Sequence, residues 1–167
     1  MIMLHMMLMA ALLVAPPPNP TAQDIIDRLS DTPKTEPQGS QGQTRSLRNL
    51  VPKVRAIDMN IQFEFNSAKI TRDGAEALQQ LSIAMKSEQL SSSRFMIEGH
   101  TDAKGTAKYN LELSTRRAQA VVDYLKSQSV AIDRLEAVGK GFNELLNEDD
   151  PLAAENRRVR IVAVPNP

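Results

Sequence analysis

The chain reads as an α+β protein, a β-α-β-α-β-β sandwich in which two main helices pack on one face of a mixed four-stranded sheet. Three observations carry this. Ile57, Met59, Ile61, Phe63 and Phe65 alternate with Asp58, Asn60, Gln62 and Glu64, the period-two pattern of a strand with one face buried. Two later stretches place apolar residues at helical spacing: Leu78, Leu81 and Met85, then Ala118, Val121, Val122 and Leu125. Each such stripe seeks a sheet to cover. Short apolar runs follow each helix, and the order of strands and helices, ending on two strands, sets both helices on one side of the sheet.

The elements follow in order. Met1–Ala15 is an apolar run, shorter than the ~20 residues a membrane-spanning helix needs and as long as the apolar part of a secretory leader. Residues 1–22 are therefore read as an export leader, although the run carries His5 and no Lys or Arg before Pro16-Pro17-Pro18. Residues 23–54, rich in Pro, Gln, Ser, Thr and Gly, bury too little to offset their ordering entropy and read as a linker. Within it Ala22–Leu29 offers two helical turns that are stable only against a partner surface. Residues 55–167 form the domain. Its first strand runs from Ile57 to Phe65, with Phe63 and Phe65 in the core. Thr71 caps the first helix. Arg94–His100 is the second strand and Thr106–Ser127 the second helix, with a break allowed near Leu113-Ser114. Leu135–Gly139 is a third strand, Gly139-Lys140-Gly141 a turn, and Val159–Val164 the last strand. Leu113 joins the core.

Composition narrows the function classes. Hydrophobic content of 41% suffices for a core, and aromatic content of 4% makes that core aliphatic. A formal net charge of +0 gives no field for nucleic acid or an anionic membrane. With no cysteine there is no disulfide, thiolate metal site, cysteine nucleophile or cysteine-borne lipid within these residues.

The densest motif is Ile97-Glu98-Gly99-His100-Thr101-Asp102-Ala103-Lys104-Gly105, followed by Tyr109-Asn110-Leu111-Glu112-Leu113-Ser114-Thr115-Arg116-Arg117-Ala118. It runs from a strand end through a polar turn into a helix. A second string, Asn156-Arg157-Arg158-Val159, opens the last strand. Together they closely resemble the signature of the OmpA-like peptidoglycan-binding domain: GHTD, a glycine three residues on, YNxxLSxxRAxxV, and a final NRRV. The resemblance extends from about Ile57 to Val164 and rests on separated strings that agree in order and spacing.

The resemblance implies a ligand, the diaminopimelate residue of a peptidoglycan stem peptide, whose free end carries an ammonium and a carboxylate on one carbon. Asp102 then receives the ammonium. Arg117 takes the carboxylate, for which a planar guanidinium is better shaped than lysine. Asn110 resembles the family's amide ligand, Thr101 and the turn backbone supply further donors, and Asn66 and Arg158 are additional contacts. Each residue type also has a structural reading: Asp102 and Asn66 as turn formers, Arg117 and Arg158 as ordinary ion pairs. Arg116, about a hundred degrees round the helix, has no assigned role. The partner is thus peptidoglycan at the wall or outer membrane, in the periplasm, with other envelope proteins as further partners. The alternative is an envelope protein-interaction module of the same fold without a wall ligand.

Enzymatic readings fail on spacing. Glu98, His100 and Asp102 need a further ligand to hold a metal, and the other histidine, His5, is in the leader. No nucleophile elbow, phosphate loop or dinucleotide turn is present, so no cofactor is expected. The paired arginines lack the interleaved aromatics of a nucleic-acid surface. One departure from the family pattern stands out: Phe142-Asn143-Glu144-Leu145-Leu146 occupies the loop where a Glu and a Pro are usual.

Overall fold

The computed structural model describes residues 19–30 and 55–164. The apolar run and most of the proposed linker lie outside these residues. The sheet comprises β1 (Arg55–Met59), β2 (Arg94–His100), β3 (Leu135–Gly141) and β4 (Val159–Val164), in the spatial order β1-β4-β2-β3. β4 is antiparallel to both of its neighbours, and β2 and β3 are parallel. A row of side chains crosses the sheet through Ile57, Ile161, Ile97 and Ala137. The three isoleucines are at most 2% exposed, each worth about 1.5–3 kcal/mol of burial.

Two helices cover that row: α2 (Arg72–Met85) after β1 and α3 (Ala107–Ser127) after β2. Thr71 and Thr106 cap them by accepting from the Gly74 and Tyr109 amides, each at 3.2 Å. This satisfies one orphan donor at each helix start. α3 continues unbroken through Leu113-Ser114. The polar residues there bond backward, Ser114 and Thr115 donating to the Leu111 carbonyl at 2.9 and 2.8 Å, which removes their competition with the helix.

Three sequence expectations are corrected. β1 ends at Met59, because the chain turns: Phe63 pairs with Ile70 across a loop in which Asn66 takes a left-handed φ of 52°. Phe63 is consequently half-buried, and Phe65, expected in the core, is 100% exposed. Period two persists in the sequence beyond the strand it belongs to. β3 runs on to Gly141, so Gly139-Lys140-Gly141 is strand and not turn; Ser114 Oγ accepts from the Gly141 amide at 2.9 Å.

The third correction concerns residues 23–54. Their first turns form α1 (Ala22–Leu29), capped by a reciprocal Thr21–Asp24 box. Ile25 and Leu29 are fully buried against α2 and β1. The Ala22 amide donates to Gln80 Oε1 at 3.2 Å, and Arg55 Nη1 donates to the Leu29 carbonyl at 3.3 Å. Eight residues are too few for a free helix; tertiary burial makes this one part of the fold.

α3 lies unusually close to the sheet. A Cβ on Gly99 would stand 2.3 Å from the Ser114 carbonyl oxygen, and one on Gly139 would stand 2.7 Å from the Thr115 amide nitrogen. Neither backbone can yield locally. Gly99→Ala is expected to lower the unfolding free energy by about 1–3 kcal/mol through overpacking. Denaturant titration measures this, and a loss below about 0.5 kcal/mol would mean that α3 is free to shift outward.

Candidate functional site

Past the C-terminal end of β2 the chain makes the turn Thr101–Gly105 before α3. The turn is fastened from several sides. The Thr101 amide donates to Gly141 O and the Ala103 amide to Pro151 O, both at 2.9 Å. Asn110, 2% exposed, reaches back from α3 to donate to the Lys104 carbonyl at 2.9 Å. The expected amide ligand therefore sits beneath the turn and shapes it. Thr101 is also buried, with a hydroxyl that has no partner among the described residues.

Asp102 emerges from this turn with a largely covered side chain. Its Oδ1 accepts from the Lys104 amide at 3.1 Å and its Oδ2 from Arg157 Nη1 at 2.8 Å. The sequence singled out Arg158 in the final string, yet Arg157 meets Asp102. Arg158 turns inward, donating from Nε to Asp58 at 2.7 Å and from both Nη nitrogens to the Glu144 carbonyl. At 6% exposure it is a paired structural guanidinium. The signal available in sequence was alternation, since two adjacent arginines cannot both face inward. What chose between them was Asp58, a hundred residues away.

Asn156, first residue of the same string, is fully buried. It accepts from the Leu146 and Asn147 amides at 2.8 Å and donates to the Asn147 and Asp150 carbonyls. It organises the whole loop that delivers Arg157, a role the sequence reading missed.

Arg117 approaches from α3. Its Nε donates to the Ser67 carbonyl at 3.0 Å, and its guanidinium lies 5.0 Å from the centre of the Phe63 ring. Both contacts fix the plane of the group. Its two Nη nitrogens have no protein hydrogen bond among the described residues, and they form the edge that suits a carboxylate. Burial lowers its pKa, with Arg157 adding to the shift and Tyr109 and Asp102 opposing it; a guanidinium remains a cation throughout. Asn66 accepts from the Tyr109 hydroxyl, tying the β1–α2 loop to α3. It supports Arg117 through its neighbour Ser67. Arg116 is exposed.

A cavity of about 290 Å³ opens among these groups, lined by Phe63, Gly99, His100, Arg117, Arg157 and Arg158 among others. Thus Arg117, Arg157 and Arg158 share one hollow, with Asp102 at its edge through Arg157. Asn110 and Asn66 are committed to loop contacts. The arrangement holds an acid and a free guanidinium edge near one concave, partly polar space, and it contains no nucleophile–base pair.

The OmpA family profile matches residues 62–159, which contain every one of these site residues. The chain belongs to the OmpA family. It is 39% identical over 110 residues to the peptidoglycan-associated lipoprotein of Pseudomonas aeruginosa, spanning 65% of this chain and 63% of that protein. It is 38% identical over 85 residues to outer membrane protein A of Serratia marcescens, spanning 51% and 24%. The chain thus spans about a quarter to just under two thirds of the length of these relatives. Among solved structures, the peptidoglycan-associated lipoprotein of Burkholderia pseudomallei superposes with a TM-score of 0.54 at 33% identity, covering 62% of this chain and 88% of that one. A periplasmic domain of Helicobacter pylori MotB superposes with a TM-score of 0.60 at 20% identity, covering 70% and 80%, a likeness of fold. Like these relatives, the chain is α+β with a four-stranded mixed sheet. Among the described residues no helix is long and apolar enough to cross a membrane.

His100, 2% exposed, ends β2 behind the cavity. Burial, reinforced by the Arg158 guanidinium, pushes its pKa down from 6.5 to about 4. Glu98, Lys140, Glu144, Asp58 and Arg160 are the other charged groups around it. The unfolded chain takes up this proton below about pH 6.5 and the folded one resists it down to about 4. The contribution is therefore intact above pH 6.5 and lost as the pH falls to 4, by up to about 3 kcal/mol. Unfolding in metal-free buffer across this window is expected to show the decline, and His100→Gln is expected to flatten it.

Proposed function

We propose that this domain binds peptidoglycan non-covalently through the diaminopimelate of the stem peptide and holds the protein at the cell wall, in the periplasm or at the outer membrane. The observation that carries this reading is the Arg117 guanidinium, fixed by Ser67 and Phe63 with its Nη edge unbonded and within the electrostatic reach of Asp102. A zwitterionic carbon needs a cation and an anion held apart by protein groups that do not collapse onto each other. Here Asp102 is held by Lys104 and Arg157, and Arg117 by Ser67, so the two do not pair directly. The ligand's ammonium replaces Arg157 at Asp102. That exchange costs little because the Asp102–Arg157 pair is half exposed on the arginine side, and such pairs contribute about 0–1 kcal/mol. The relatives whose names include peptidoglycan association support the same reading. It implies binding without turnover.

Residues 55–167 are the wall-binding unit in this reading, joined by α1, and the export leader read over residues 1–22 stops short of Thr21, which caps α1. A second reading, a protein-docking module of the same fold, is favoured by Phe65, wholly exposed on the β1–α2 loop. Phe65→Ser separates the two, because it removes a protein contact and leaves the charged site intact.

Sedimentation with isolated sacculi tests the pair. Asp102→Ala and Arg117→Ala are each expected to lose about 2–5 kcal/mol of binding, whereas Arg116→Ala and Phe65→Ser bind as the parent does. Arg117→Ala also loses its contacts to Ser67 and Phe63, so Arg117→Lys, which keeps the charge and loses the fork, serves as its companion. Normal sedimentation of Asp102→Ala would overturn the reading.

Wall chemistry gives an independent measure. A stem peptide with lysine at its third position presents the ammonium without the neighbouring carboxylate. Arg117 would then face a ligand that leaves it unsatisfied, a penalty of about 1–3 kcal/mol. Binding is expected to favour diaminopimelate-type over lysine-type sacculi by about tenfold or more, and equal retention would remove the basis for the carboxylate contact.

A further inference from the structure

We propose that Glu98, His100 and Glu144 form a binding site for a divalent transition-metal ion of the zinc class. In sequence Glu98, His100 and Asp102 lacked a further ligand, and the structure turns Asp102 to Arg157. The fold supplies the missing ligand from the loop after β3, the segment in which this chain departs from the usual family pattern. One ligand atom from each of the three residues lies within 4.8 Å of the others, and His100 Nε2 stands 3.9 Å from Glu98 Oε2.

Two independent features turn this cluster into a site. His100 is 2% exposed, and neither ring nitrogen has a hydrogen-bond partner among the described residues. A buried imidazole with both nitrogens unsatisfied is costly, and a ligand on Nε2 relieves one of the two. The second feature is Lys140, whose Nζ lies 2.8 Å from Glu144 and 3.3 Å from Glu98. A cation thus already occupies the point where the carboxylates converge. Its side chain is partly exposed and on a flexible stem, so it can withdraw into water.

The remaining charges permit a dication. Phe95 and Ile97 point to the core, so Glu98 and Lys140 lie on the sheet face away from the helices. Arg158 is paired with Asp58, while Arg160, opposite Asp58 and Glu98 in the sheet, is a further cation whose charge acts against the ion. Two carboxylates and one neutral imidazole balance a divalent ion. Metal–ligand distances of ~2.0–2.2 Å bring tetrahedral ligands to about 3.4 Å apart, so the cluster must close by roughly 1 Å. Glu144, half exposed in its loop, supplies that movement, and water fills the fourth position. One nitrogen and two oxygen donors favour zinc-class ions over magnesium or calcium, which take all-oxygen shells.

The test uses the full chain carrying His5→Ala, which removes the only other histidine, dialysed against chelator and titrated calorimetrically with zinc chloride and with magnesium chloride. One zinc ion per chain at micromolar or tighter affinity is expected, with no magnesium binding. Glu144→Gln should weaken zinc at least about tenfold and Lys140→Met should tighten it, since the competing ammonium is gone. Both substitutions lie at the surface, so each reports binding in a folded protein, checked by circular dichroism. His100→Gln should abolish binding. No saturable zinc binding, or affinity unchanged by Glu144→Gln, would overturn the proposal.

Discussion

The close approach of α3 to β2 and β3 is the constraint on which the molecule depends. Gly99 and Gly139 let the backbone of Ser114 and Thr115 lie directly on the sheet, and Ser114 uses its hydroxyl to hold the Gly141 amide. This contact fixes the rotation of α3 about its axis. Three residues further along, the same rotation sends Arg117 toward Phe63 and Ser67 and leaves Arg116 in solvent. Helix–sheet packing and the placement of Arg117 are therefore one geometric fact: a helix rotated by about a hundred degrees would present Arg116 instead.

The fold was largely legible because its elements announce themselves locally. Thr71 caps where a cap was expected, Leu78, Leu81, Val121 and Leu125 lie buried on the stripes their spacing assigns, and the strands read at Arg94–His100 and Val159–Val164 are present. Phe65 defeated the same logic, because alternation records side-chain pattern and says nothing of where the backbone turns away. Asn66, with its positive φ, marks that turn, but an asparagine before a serine is too common to decide it. α1 was ambiguous for a different reason: its stability lies in Gln80, Arg55 and the core beneath, all remote in sequence.

At the site, the residue types were legible and their partners were not. Asp102 and Arg117 stand out by spacing; of the two, Arg117 lines the cavity, and Asp102 meets it through Arg157. Asn110 has the right chemistry for a ligand and spends it on the Lys104 carbonyl; Arg158 spends its own on Asp58 and Glu144. Only long-range geometry reveals such commitments, because a side chain's capacity to bond is local and its choice of partner is not. The converse holds for Asn156 and Arg157, which gain importance through the loop they close. Profile similarity to the OmpA family identifies the scaffold but does not by itself distinguish these roles.

The docking of α1 has a mechanical consequence. The Leu29 carbonyl and Arg55 are bonded to each other, so the end of α1 and the start of β1 are tied at one point. A load arriving through residues before Thr21 thus reaches α1 before it reaches the sheet. Two buried side chains, Ile25 and Leu29, a capping box and a few hydrogen bonds resist it there, whereas β1 is zipped along β4. Under tension α1 would peel first, while the sheet and its cavity stay assembled. An element that yields before the sheet does acts as a shock absorber for the cavity behind it.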